Sequence, residues 1–171
     1  MKISDLKNMP EFYDRYINLA PENLSVIDGL IQTFTVLEEI RNELIQHQDY
    51  QYEPNKWTPK EMVQHIIDNE RIMSYRALAL ARGEQKNLPG YEHNEYVVNS
   101  FANRRSMNSL LEEFAAVRKS TVLLFHSLEK ETLLNSGLCS EIAMTPLALG
   151  LVCIGHVEHH INILKERYFT K

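Results

Sequence analysis

The chain has 171 residues, with 18 Lys and Arg against 23 Asp and Glu and a formal charge of −5, an amount and mixture that suit one folded domain over 1–171 rather than a disordered tail. The cations are scattered, so there is no basic stripe for a phosphate backbone and no nucleic-acid partner is expected. Two cysteines, Cys139 and Cys153, neither in a CxxC pair, exclude a disulfide framework and a thiolate zinc site.

In chain order, MKISDLKNMPEFYDRY lacks the apolar stretch of a secretory signal, and residues 1–21 read as an arm or short helix. Residues 22–171 read as a four-helix body. The first helix is expected over 24–47, where Val26, Leu30, Ile31, Phe34, Leu37 and Leu44 keep helical spacing. The second is WTPKEMVQHIIDNERIMSYRALALARG: Thr58 suits the N-cap, Pro59 the first helical position, Glu61 the capping box and Gly83 the stop. A third is expected over 106–130, and a fourth opens on Thr145-Pro146 and runs to 168. No strand or hairpin signal is evident. The longest apolar run, 143–155, is shorter than the ~20 residues a bilayer demands, so the expectation is a cytoplasmic protein with no membrane contact.

The first and last connections are short, whereas about twenty residues with a Pro-Gly turn separate helices two and three. A helix of this length is ~37 Å long, and twenty extended residues reach ~65 Å. The link is long enough to cross the bundle and leave helices two and three parallel. An all-α four-helix bundle with one long crossover follows, with a plain up-down bundle and a long loop as the other possibility.

GHVEHHINILKERY carries the chemistry-bearing residues. At 100° per residue, His156 and His160 stand about 40° apart within the apolar arc, while His159 falls at its polar edge, as a boundary residue or a support for a ligand. Two imidazoles one turn apart have chelate spacing. HVEHH is not the HExxH of zinc peptidases, since position 157 is Val and Glu158 points away. A di-iron carboxylate bundle is excluded because no His has Glu three residues before it.

On helix two, His65, Asn69 and Arg76 form a polar seam beside Met62, Ile66, Met73 and Leu80. Such a seam is costly unless partners, water or an ion satisfy it. Asp68, one turn from His65, is placed to orient a ligand imidazole or act as a base. Arg76, with Asn69 beside it, is a candidate for holding a substrate carboxylate; a structural ion pair is the other reading of Arg76. His65 alone reads equally as a core histidine, and residue geometry leaves a three-His metal site and simple packing both open. His47, His93 and His126 read as surface or packing residues, although His93 lies in the crossover that could cover a site. Trp57, Tyr52 and Tyr91 read as core or loop anchors, with pocket lining as the other reading, and Cys153 reads as a core filler whose nearness to the histidine face leaves room for sulfur chemistry.

KWTPKEMVQHIIDNERIMSYRALALARGE, LPGYEHNEY, LLEEFAAVRKSTVLLFHSL and GHVEHHINILKERY, with the N-terminal EFYDRYINLAPE, resemble the DinB-like (DinB/YfiT) superfamily over nearly the whole chain. The resemblance implies an up-down-down-up four-helix bundle. It also implies one divalent metal, commonly zinc or nickel, on His65, His156 and His160. Family members include hydrolase-like proteins and S-transferases for low-molecular-weight thiols such as bacillithiol, so a small-molecule substrate is implied. Three neutral imidazoles leave the ion its full charge and an open position, where it can acidify water or take a thiol as thiolate. Two functions are therefore open: a metal-dependent hydrolase or thiol transferase, or a non-catalytic metal-binding or stress-response bundle, with a homodimer as one possible state. Three nitrogen ligands do not choose among metals.

Overall fold

Caps set the ends of the long helices. In the computed structural model, which describes residues 1–169, Thr58 and Glu61 form a reciprocal capping box. The Thr58 hydroxyl accepts from the Glu61 amide at 3.2 Å, and the Glu61 carboxylate accepts from the Thr58 amide at 2.8 Å. Ser25, Ser106 and Thr145 cap three other helices through the amides of Asp28, Ser109 and Ala148. With two short helical segments and an unpredicted piece in the crossover, the helices are α1 (Asp14–Ile17), α2 (Val26–Glu39), α3 (Arg41–Gln46), α4 (Pro59–Ala81), α5 (His93–Ser100), α6 (Met107–Ser127) and α7 (Pro146–Arg167). Helix α4 stops as expected, with Gly83 at φ +86°, a conformation that favours glycine.

Three expectations need correction. The helix expected over 24–47 breaks at Ile40, which sits at φ −94° and ψ 13° between α2 and α3. Leu37 and Leu44 on either side are fully buried, so the apolar pattern runs through the break unaltered. The crossover is not bare loop, since it carries α5. A hairpin is also present, with β1 (Gly137–Cys139) antiparallel to β2 (Ile142–Met144). Ser140 and Glu141 take the turn at φ 53° and 65°, a mirror-image turn without the Asn-Gly that usually announces one.

Helices α2 and α4 each pack against both α6 and α7. Pairs across these seams fix the register. Ser74 meets Thr121 at 2.9 Å and Arg71 meets Glu113 at 2.5 Å between α4 and α6, while Arg41 at the start of α3 meets Asn108 on α6 at 3.0 Å. The Tyr168 hydroxyl donates to the Trp57 carbonyl at 2.5 Å, tying the end of α7 to the entry of α4. By length and composition α7 could cross a membrane, but 78% of its most apolar window is buried against the other helices. The apolar surface is therefore used in packing.

The core falls into two apolar clusters. One includes Leu30, Met73, Leu80, Phe125 and Leu151; the other includes Leu37, Ile66, Leu110, Phe114 and Leu164. Along each long helix a buried polar residue falls between them: Thr33 on α2, Asn69 and Glu70 on α4, Arg118 on α6 and His156 on α7. This polar waist is satisfied on one side by a closed ion pair. Arg118 donates to both carboxylate oxygens of Glu70 at 2.7 to 3.0 Å, to the Leu30 carbonyl at 2.7 Å and to the Thr33 hydroxyl at 2.6 Å. The opposite side of the waist holds the imidazoles.

Candidate metal centre

Helical phase decides which histidines meet. His156 and His160, one turn apart on α7, turn inward toward His65 on the second turn of α4. The Nε2 of His65 lies 3.0 Å from that of His156, and the Nε2 of His160 lies 3.1 Å from it. All three rings are buried. A protonated imidazole here would face two others in a water-poor setting. Burial first, and then the neighbouring imidazoles, push His156 and His160 well below the ordinary range, and His65 to about 4. The three rings are therefore neutral at pH 7 and have lone pairs to offer.

This donor set fits a divalent cation. Tetrahedral nitrogen donors at the usual zinc distance lie about 3.3 Å apart, close to the two measured separations. Among the described residues, the three histidines form a group of ligand atoms all within 4.8 Å of one another, with no Asp, Glu or Cys in it. The donor set is all nitrogen, without a carboxylate to reduce the charge of an ion.

The cluster opens into a cavity of about 890 Å³. The N-terminal arm forms one wall, with the Tyr16 ring edge-on to His156 at 5.3 Å and to His159 at 5.4 Å. Only a glycine at 155 allows this, because a Cβ there would collide with the Tyr16 carbonyl. The second wall comes from the loop before α4 and from the crossover: the Trp57 ring lies 4.9 Å from His65 and the His93 ring 5.9 Å from it. His159 lines the cavity at the rim, and burial, followed by the nearby Arg15, lowers its proton affinity.

Of the other residues singled out in the sequence, Asn69 and Arg76 line the same cavity. Asp68 does not reach it. Its carboxylate accepts from Gln64 at 2.9 Å and sits 4.0 Å from Arg71, on the side facing α6. Cys153 is buried outside the cavity lining, and burial pushes its thiol far up, so it stays protonated. Of the two readings open for them, Trp57 and Tyr91 take the second and line the cavity, joined by His93 from the crossover, and Tyr52 shares with Trp57 the lining of a smaller cavity. Tyr16 had no local signal, because its role depends on the arm crossing α7 at Gly155.

A helical bundle with three convergent imidazoles and an open cavity is the class that fold and site define. The sequence profile of the DinB superfamily matches residues 32–164, and the chain belongs to that superfamily. Among solved structures it is similar to YfiT from Bacillus subtilis, described as a probable metal-dependent hydrolase with an unusual four-helix bundle topology. That similarity has a TM-score of 0.63 at 16% identity, covering 94% of this chain and 89% of the other. No curated protein matches the chain.

Proposed function

We propose that this chain is a metal-dependent enzyme that holds one divalent cation on His65, His156 and His160 and acts on a small molecule, by hydrolysis or by transfer of a low-molecular-weight thiol. The observation that carries it is the convergence of three neutral Nε2 atoms, 3.0 and 3.1 Å apart along the cluster, at the wall of an open cavity. A structural site is normally closed by a fourth protein ligand, and among the described residues no carboxylate or thiolate joins this group. When bound, the cation supplies Lewis acidity that makes water or a thiol more acidic.

The chain's own residues supply the rest. Tyr16 and Trp57 hold the imidazole rings from two sides and keep bulk water off their faces. His159, kept neutral by its lowered proton affinity at the cavity rim, has a ring nitrogen lone pair that can accept the proton that the attacking group loses. Asp68 was the sequence candidate for that role, and its bond to Gln64 supports giving the role to His159 instead. The description of YfiT favours the hydrolase branch; the thiol branch rests on the family resemblance.

The same reading takes the bundle as up-down-down-up and the chain as one domain. The topology is supported by Glu70 pairing with Arg118 and Ser74 with Thr121, in which position advances together along α4 and α6. The test is turnover: metal-loaded protein is assayed for hydrolysis of activated esters and for conjugation of small thiols to an electrophile. Metal-dependent turnover that disappears in His160→Ala is expected. No turnover on any substrate with metal present would leave the non-catalytic bundle as the better account.

A further inference from the structure

Two arginines are buried in this bundle to the same degree, Arg76 and Arg118, each 2% exposed. Arg118 has the Glu70 carboxylate as its counter-charge. Arg76 has none: among the described residues, no ion pair involves it. Its contacts are neutral and mostly long. Nη2 donates to the Pro89 carbonyl at 2.6 Å and reaches the Ser140 hydroxyl at 3.4 Å; Nη1 reaches the Tyr13 hydroxyl at 3.5 Å and the Met73 sulfur at 3.9 Å. Only the first has the length of a strong hydrogen bond. A guanidinium removed from water without a counter-charge is costly, and the cost is relieved if an anion arrives from outside.

A second, independent unsatisfied donor lies along α4 between His65 and Arg76. The Tyr91 hydroxyl donates to Asn69 Oδ1 at 3.0 Å and so fixes the amide. The Nδ2 of Asn69 is buried and has no hydrogen-bond partner among the described residues. Both residues line the cavity that the imidazoles share. Along α4, Asn69 stands one turn beyond His65, and Arg76 about 16 Å of helix rise beyond it. The Arg76 side chain leans back toward the helix N-terminus and shortens that span.

We propose that the cavity binds an elongated small molecule that ends in a carboxylate, seated on Arg76, and carries a carbonyl-type acceptor at Asn69, with its other end at the imidazoles. A carboxylate suits Arg76 better than a phosphate. One guanidinium balances one negative charge, it meets a planar carboxylate in a fork, and Glu92 and Glu95 in the cavity lining disfavour a dianion. The assignment deepens the proposed function by naming its substrate class, and it rests on that function only for which end is the reacting one.

Metal-free protein therefore tests it separately. Calorimetric titration compares N-acetyl-aminohexanoate with the uncharged N-acetyl-aminohexanamide. The carboxylate is expected to bind about tenfold or more tightly than the amide, the range for hydrogen bonds to a charged group. Arg76→Gln is expected to abolish that preference, Arg76→Lys to keep part of it, and Asn69→Ala to weaken both ligands alike. Equal affinity of wild type for the two probes, binding of neither, or tighter binding of inorganic phosphate would overturn the assignment. So would a preference that survives in Arg76→Gln. Should Arg76→Gln fail to fold, the two-probe comparison on wild type still decides. A failure of the metal reading leaves these measurements unchanged.

Discussion

The Glu70–Arg118 pair shows how much one residue can be worth in the polar waist. Both side chains are almost fully buried, and Arg118 uses its donors on Glu70, Leu30 and Thr33. Glu70→Gln leaves a buried guanidinium short of its counter-charge, so urea unfolding is expected to show a loss of about 3–5 kcal/mol. Replacing both partners together with apolar residues of similar volume is expected to recover most of that loss, and a loss below about 1 kcal/mol for Glu70→Gln would contradict the description of the waist. At this scale the imidazoles were legible in the sequence, because helical phase alone separates His156 and His160 from His159. The neutral surroundings of Arg76 were not. Its contacts come from the arm, the crossover and the hairpin turn, through Tyr13, Pro89 and Ser140, and no periodicity on α4 encodes them.

Among elements, the arm and α7 depend on each other at a single position. Gly155 lets the chain at Tyr16 cross α7 beside His156, and an added methyl would collide with the Tyr16 carbonyl. Gly155→Ala is expected to cost about 1–3 kcal/mol, as overpacking does, and to make the arm more open to limited proteolysis. An unchanged melting temperature together with unchanged proteolysis would contradict the close approach. The capping box of α4 is a simpler case: Thr58→Ala is expected to cost about 1 kcal/mol in a denaturant titration. The long helices were readable because caps and apolar spacing are local signals. The break at Ile40 lacks a Pro or Gly to mark it, and the hairpin turns on Ser140-Glu141, which do not advertise positive φ. Helix α5 was lost for another reason. It buries only Val97, so its sequence has too narrow an apolar face to register.

For the whole molecule, the three imidazoles tie stability to pH. Each holds a proton less readily when folded, so below pH 6.5 the unfolded chain takes up protons first. The stability of the metal-free protein from this source is intact above pH 6.5 and drains as pH falls toward about 4. His65 alone accounts for on the order of 3 kcal/mol of that loss, summed over the fall from pH 6.5 to about 4. Melting temperature of EDTA-treated protein should therefore fall steeply from pH 7 to 5, and less steeply in His65→Gln; identical profiles for the two proteins would contradict the linkage. The central claim is that the imidazoles hold one metal ion, and its most direct test is elemental analysis of untagged protein after reconstitution and desalting. The account predicts about one divalent ion per chain in wild type and in His159→Ala, and loss of the ion in His65→Ala and His160→Ala. Wild type that stays metal-free, or a His160→Ala variant that binds as much metal as wild type, would contradict it.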